Sequence, residues 1–100
     1  MRLEEIHKAL GNESRLNIMK WLRDPDNTFR PHKDGSDFSN GVCVKLIQEH
    51  SGLSQSTTSL YLTTLHRCGL VIATRIGKWT YYKRNEETIR LFILKMEQSI

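Results

Sequence analysis

Two short helical patterns in the middle of the sequence are separated by a glycine-containing turn, and few folds accommodate this arrangement. The apolar residues of the first pattern are Val42, Cys43, Leu46 and Ile47, and the pattern ends near His50. Ser51, Gly52 and Leu53 form the turn. The second pattern runs from about residue 55 to residue 67, and its inward-facing residues are Thr58, Leu62 and Leu65. Ser54 precedes it and is a good N-cap, so two helices joined by a tight turn are predicted.

A β-hairpin is predicted directly after these helices. Residues 71–76 and 79–84 are rich in β-branched and aromatic side chains, and Gly77 and Lys78 lie between them. A two-residue loop with glycine first is typical of a type II′ turn, because glycine adopts positive φ without steric cost. Two helices followed by a basic two-stranded hairpin are the order of a winged helix-turn-helix.

Three further helices complete the prediction. Residues 3–10 carry one apolar stripe, and a second helix begins after the N-cap Asn12 and ends at Asp24, before a proline. The last helix begins after Asn85, and its apolar positions on one side are Ile89, Phe92, Ile93 and Met96. Leu91 and Leu94 lie on another side, which is more apolar surface than one core contact needs. Part of this helix is therefore expected to form a subunit interface.

The chain length of 100 residues accommodates a single hydrophobic core. We therefore expect one domain over residues 1–100, mainly α-helical with a small β-hairpin. The first five residues mix charges, and no apolar run approaches the roughly 18 residues of a membrane span. With only two cysteines, the chain lacks a disulfide framework. A cytoplasmic protein without a membrane association is the expectation.

The positive charge of the chain is concentrated in the predicted helix-turn-helix and hairpin. The net charge is +4 overall. Residues 41–84 contain six basic side chains and one acidic residue, Glu49, a net charge of +5. The N-terminal 40 residues are neutral and the last 16 have a net charge of −1. Such a concentration is either a solvated face or the footprint of a polyanion, and the helix-turn-helix pattern favours the polyanion.

The outward-facing side of the second helix suits base recognition in duplex DNA. An α-helix fits the width of the major groove. In that groove glutamine pairs with adenine, and an apolar side chain can touch a thymine methyl group. Tyr61 has two interpretations, a phosphate contact or simple packing. Arg75 and Lys78 lie near the hairpin tip, where they can meet phosphates or a minor groove. The candidate DNA-binding residues are Ser54, Gln55, Ser56, Ser59, Leu60, Tyr61, Thr63, Arg75 and Lys78.

Three blocks of the chain resemble the ArsR/SmtB-type transcriptional regulators. Residues 9–19 (ALGNESRLNIM) resemble the opening of that family, residues 52–71 its recognition helix and exit, and residues 75–82 (RIGKWTYY) its wing. The resemblance implies a homodimer, joined by the first and last helices, that represses an inverted-repeat operator until an effector releases it. The chain departs from the family at Leu60, where a polar residue is usual, and at Thr63, where a basic residue is common.

The residues from 25 to 40 also depart from the family, because the connection there is longer than usual. It is polar and contains two prolines and a glycine. Connections of this length are usually functional or mobile, and both interpretations stay open. Phe29 and Phe38 are the side chains that could attach it to the core.

The effector is not identified by the sequence, and no metal or cofactor is predicted. The resemblance suggests metals, but Cys43 lacks the second cysteine of a Cys-x-Cys pair, and residues 85–100 contain no histidine or aspartate. A site that combines Cys43 with His32, Asp34 or His50 remains an alternative, as does a thiol switch between Cys43 and Cys68. The simplest interpretation of Cys43 is a small buried apolar residue. Histidines 7 and 66 show no evident partner.

Two other functional classes compete with DNA binding. An enzyme would need a nucleophile and base or paired acids in a pocket, and the chain has no phosphate-binding glycine loop, His-Glu-x-x-His or Gly-x-Ser-x-Gly motif. We therefore expect no catalytic activity. A winged-helix module that binds a protein or RNA is the stronger alternative. The basic residues of the hairpin favour nucleic acid, and a steep fall of affinity with salt would separate DNA binding from an apolar protein interface.

Overall fold

The computed structural model describes residues 2–100 as six helices and three strands. The helices are α1 (Leu3–Leu10), α2 (Glu13–Arg23), α3 (Pro25–Thr28), α4 (Val44–Ser51), α5 (Gln55–Arg67) and α6 (Glu86–Ser99). The strands are β1 (Val42–Cys43), β2 (Val71–Ile76) and β3 (Trp79–Arg84). The predicted bounds of α5 and of both hairpin strands are confirmed, and so is the mainly helical fold.

The sheet is larger than the predicted hairpin. Its three strands are antiparallel in the order β1-β3-β2, with Val42 opposite Tyr82 and Cys43 opposite Tyr81. The prediction that Val42 and Cys43 open the helix is wrong, because their backbones pair with β3 and α4 begins at Val44. Between β2 and β3, Gly77 has φ +61°, the positive value that the predicted turn requires.

The core lies between the helices and one face of the sheet. The largest fully buried apolar side chains come from α1, α2, α4, α5 and the start of the sheet: Ile6, Ile18, Ile47, Leu62, Leu65, Leu70, Val42 and Val71. Three predicted caps are present. The side chains of Asn12, Ser54 and Asn85 accept hydrogen bonds from the backbone N–H groups of the first turns of α2, α5 and α6.

The connection between α2 and β1 packs on the core through its aromatic residues. Phe29 is buried and its ring centroid lies 6.4 Å from that of Phe38. His32 is also buried, and its Nε2 accepts a hydrogen bond of 3.1 Å from the backbone N–H of Cys43. The prediction that Phe29 and Phe38 attach the connection to the core is confirmed, and His32 ties it to β1 as well.

The last helix is less buried than the other long helices. No residue of α6 is fully buried by the rest of residues 2–100. Leu91, Ile93 and Leu94 are each more than two-fifths exposed, while Phe92 meets the ring of His7 edge-on at 5.4 Å. The partner of His7 was not predicted. Within the described residues, no helix is both long enough and apolar enough to cross a membrane.

Candidate nucleic-acid interface

Helix α5 is fixed by its inward-facing side. Thr58, Leu62 and Leu65 are fully buried. Burial of a leucine side chain contributes about 1.5–3 kcal/mol, so these contacts determine which side of the helix faces outward. At its first turn, Ser54 Oγ accepts from the backbone N–H of Thr57 at 3.2 Å. Both the start and the rotation of α5 about its axis are therefore set by local residues.

The outward-facing side of α5 carries most of the predicted base-contacting residues. Gln55, Ser59 and Thr63 follow one another at intervals of four residues, so they form a row along the exposed side. Leu60 is 63% exposed, an unusual position for a leucine in a helix packed on a core. The exposed candidates on α5 and its cap are Ser54, Gln55, Ser56, Ser59, Leu60 and Thr63.

Tyr61 lies apart from this surface. It is half-buried, and the guanidinium of Arg15 lies 5.4 Å from the centre of its ring. Arg15 in turn donates hydrogen bonds to the carbonyl oxygens of Ala9 at 2.8 Å and Lys8 at 3.1 Å. Of the two interpretations of Tyr61, this geometry favours packing: the ring supports the contact between α5 and α2.

The wing is the β2–β3 hairpin, and its cations are exposed. Arg75 Nε donates to the carbonyl oxygen of Gly77 at 3.0 Å, and another guanidinium nitrogen donates to Thr80 Oγ1 at 3.3 Å. These bonds hold the guanidinium along the hairpin. Lys78 Nζ lies 5.5 Å from the ring centre of Trp79. Within residues 2–100, neither Arg75 nor Lys78 forms an ion pair, so both charges are available to a polyanion.

A groove joins α4, α5 and the side of the wing near its tip. Its volume is about 220 Å³, and its lining includes Lys45 and Gln48 from α4, Gln55 and Ser59 from α5, and Trp79 from β3. Lys45, Gln48 and Trp79 were not among the predicted site residues. Lys45 and Gln48 could have been identified from the sequence, because they lie outside the apolar stripe of α4, the helix that precedes the turn. Trp79 becomes visible only once the hairpin is folded against α4.

Cys43, His32 and Asp34 line one cavity, but they are not placed to share a metal ion. Both ring nitrogens of His32 are engaged, because Nε2 accepts from Cys43 N–H while Nδ1 lies 3.1 Å from the carbonyl oxygen of Ser36. His50 packs edge-on against Trp21, with ring centroids 4.6 Å apart. Among residues 2–100, no group of three histidine, cysteine or acidic side chains is placed to hold a metal ion.

The two cysteines are free thiols in different environments. Cys68 is buried, and this burial raises the pKa of its thiol, which makes it a poor nucleophile at neutral pH. Cys43 is only partly buried and lines a cavity, so its interpretation as a small buried apolar residue is wrong. The reason is the β1–β3 pairing, which places Cys43 at the sheet rather than on the inner side of a helix.

Comparison with known proteins agrees with this geometry. Residues 40–73, which span the helix-turn-helix, match the IclR helix-turn-helix domain family. The HTH-type transcriptional regulator YbzH of Bacillus subtilis (strain 168) is 56% identical over 86 residues, which is 85% of each chain. A putative arsenical resistance operon repressor, ArsR2 of Halobacterium salinarum, is 30% identical over 84 residues, covering 84% of this chain and 60% of its own.

A solved structure from Mycobacterium bovis shares the fold and a related sequence. It is the homodimeric winged helix-turn-helix DNA-binding domain Mb0332, described as a possible ArsR-family transcriptional regulator. The TM-score is 0.64 at 30% identity, and the match covers 96% of this chain and 76% of that one. With the relative in Bacillus subtilis, this match supports the resemblance stated from three sequence blocks. The chain belongs to the winged helix-turn-helix transcriptional regulators of the ArsR type.

Proposed function

We propose that two copies of this chain bind an inverted repeat in duplex DNA and repress transcription in the cytoplasm until an effector releases them. The observation that carries the proposal is the exposed row of polar side chains on α5 beside cations of the wing that have no ion-pair partner within residues 2–100. A helix of this kind reads base edges, while cations beside it contact phosphates. The homodimeric neighbour supports the two copies, and the relative named as a putative repressor supports repression.

Selection on a random duplex library tests this proposal directly. The purified, reduced protein is incubated with the library at physiological salt, and the retained DNA is sequenced. Two recognition helices related by a two-fold axis enter major grooves about 34 Å apart, so we expect an enriched inverted repeat with half-sites about one helical turn apart. Retention of random DNA only at low salt would contradict sequence-specific binding.

We expect Gln55→Ala and Ser59→Ala to relax the sequence preference of the protein. Each removes a side chain that can hydrogen-bond a base edge, at a cost on the order of 1–3 kcal/mol on the selected operator. Affinities for the operator and for random duplex DNA are measured by fluorescence anisotropy. Thr64→Ala is a matched control on the same helix, because the Thr64 hydroxyl already donates to the Leu60 carbonyl at 3.1 Å. Equal losses on operator and random DNA would contradict base recognition by Gln55 and Ser59.

The wing substitutions Arg75→Ala and Lys78→Ala are expected to weaken binding to every sequence. Each phosphate contact contributes about 0.9 to the slope of log affinity against log salt, and the second subunit doubles that change. The slope is measured by titrating the operator at several salt concentrations. Lys20→Ala removes an exposed cation from α2 and serves as the control. A slope identical to that of the unmodified protein would exclude the wing from the interface.

A further inference from the structure

A second cavity lies on the other side of Trp79 from the recognition helix. Its volume is about 190 Å³, and it is partly open to solvent, with walls formed by the connection, the beginning of α4 and the first half of β3. Trp79 and Tyr81 are two positions apart on β3, so they share one face of the strand. Cys43 on β1 lies directly opposite Tyr81. Leu46 adds an aliphatic wall from α4. Two aromatic rings and a leucine thus provide a largely apolar interior.

The connection forms the remaining wall and is held in place by His32. The backbone N–H of Cys43 donates to His32 Nε2, and the His32 ring meets the Tyr81 ring edge-on with centroids 5.5 Å apart. These contacts hold His32 against the sheet, so the connection forms one wall of this cavity.

The charged side chains around the cavity favour an anion. Arg30 is already paired with Glu49 at 2.7 Å. Asp34 is engaged by Ser36, whose hydroxyl and backbone N–H donate to the same carboxylate oxygen at 2.6 and 2.9 Å. Lys33 and Lys45 also line the cavity, and neither forms an ion pair within residues 2–100. The hydrogen bonds from Ser36 lower the pKa of the Asp34 carboxyl group, so Asp34 stays ionised. The two unpaired lysines together with Asp34 still leave the lining with a net charge of +1.

The volume is sufficient for one small ring. A cavity of about 150 Å³ is known to accommodate benzene, so about 190 Å³ has room for one six-membered ring, and the open side leaves space for a small polar group. We propose that this cavity binds a small monocyclic aromatic carboxylate and that this ligand lowers the affinity of the protein for DNA. The effect on DNA rests on the proposed function, whereas the binding of the ligand does not.

The coupling to DNA follows from two shared residues. Lys45 and Trp79 line this cavity and also the groove that contains Gln55 and Ser59. A carboxylate beside Lys45 neutralises a cation that faces the DNA-binding groove, so the ligand and a phosphate compete for the same charge. Because coupling between two binding sites is reciprocal, DNA must weaken ligand binding by the same factor.

Titration of the free protein with benzoate, followed by NMR, tests the site without DNA. We expect a saturable shift of the Trp79 indole N–H signal, with a dissociation constant on the order of 1 mM or lower. The Trp21 indole signal is an internal control, because Trp21 is not part of the cavity lining. Benzyl alcohol tests the need for charge and inorganic phosphate tests the need for the ring, and both should bind at least tenfold more weakly.

Matched variants distinguish binding of benzoate in the cavity from a general attraction of anions to a basic protein. Lys33→Gln and Lys45→Gln are each expected to weaken benzoate binding at least threefold, whereas Lys20→Gln on α2 leaves it unchanged. The absence of a saturable Trp79 shift, equal binding of benzyl alcohol, or equal binding of phosphate would each overturn the assignment.

The effect on DNA is measured separately by anisotropy, with sodium chloride matching the ionic strength of the benzoate. Saturating benzoate should reduce affinity for duplex DNA at least fivefold, and an unchanged affinity would overturn the coupling. A protein that binds benzoate but no DNA would refute the proposed function and the coupling while confirming the ligand site. A protein that binds DNA but not benzoate would refute the ligand site and the coupling while leaving the proposed function intact.

Discussion

The Ile93→Asp variant is expected to be a folded monomer that binds the operator at least a hundredfold more weakly than the unmodified protein. Ile93 lies on α6 and is 53% exposed, so an aspartate there remains solvated in the isolated subunit. In a dimer joined through α6, the same carboxylate would be buried without a partner, which is costly. Two linked half-site contacts strengthen binding by about 10²–10⁴ over one contact, and that gain disappears in the monomer.

Sedimentation velocity and operator titration measure the two parts of this prediction. Ile93→Leu is the matched control, because it keeps the apolar side chain at the same position and should remain dimeric with unchanged affinity. Circular dichroism spectra establish that the aspartate variant is folded. An Ile93→Asp protein that sediments as a dimer would place the subunit interface elsewhere. A monomer that retains full operator affinity would contradict the proposal that two subunits read the operator together.

The elements with strong local signals were predicted to the residue. Ser54 caps α5, and Gly77 provides the positive φ of the hairpin turn, so the bounds of α5, β2 and β3 follow from neighbouring residues alone. These signals are short-range: each depends on hydrogen bonds or backbone angles within a few residues. The same explanation holds for the ends of α2, where Asn12 begins the helix and the residue before Pro25 ends it.

β1 could not be predicted in this way, because nothing local distinguishes it from the start of a helix. Val42 and Cys43 continue the apolar spacing of α4, and a helical pattern fits them equally well. Their conformation is determined by β3, whose residues Tyr81 and Tyr82 lie about 40 positions later in the chain. Long-range pairing of two residues leaves almost no trace in composition or periodicity.

The candidate site was only partly predicted, because it too depends on contacts between residues that are far apart in the sequence. The outward-facing row on α5 follows from helical periodicity once the buried side is known. Lys45 and Trp79 come from different elements, and only the folded hairpin places them in one groove with Gln55. The cavity under the connection is a still clearer case. It requires a buried histidine, His32, whose hydrogen bond to β1 has no sequence signature.

Gly41→Ala is expected to destabilise the protein more than a Gly→Ala substitution at any other glycine of this chain. Gly41 has φ +107°, and a Cβ atom there would lie 2.6 Å from the backbone carbonyl carbon and oxygen of Tyr82. A contact this short with backbone atoms forces β1 away from β3. The collision and the unfavourable φ together should lower the free energy of unfolding by about 3 kcal/mol, or roughly 12–24 °C in Tm for a domain of this size.

Gly35→Ala separates the two causes of this loss. Gly35 also has positive φ, +78°, but a Cβ atom there meets nothing within 4 Å. Its substitution should therefore cost only the backbone strain, about 1–2 kcal/mol. Thermal unfolding of both variants, monitored by circular dichroism, gives the difference, which measures the collision with Tyr82. Equal losses of Tm in the two variants would mean that β1 yields without cost, and the cavity wall that depends on Cys43 and Tyr81 would then be soft rather than fixed.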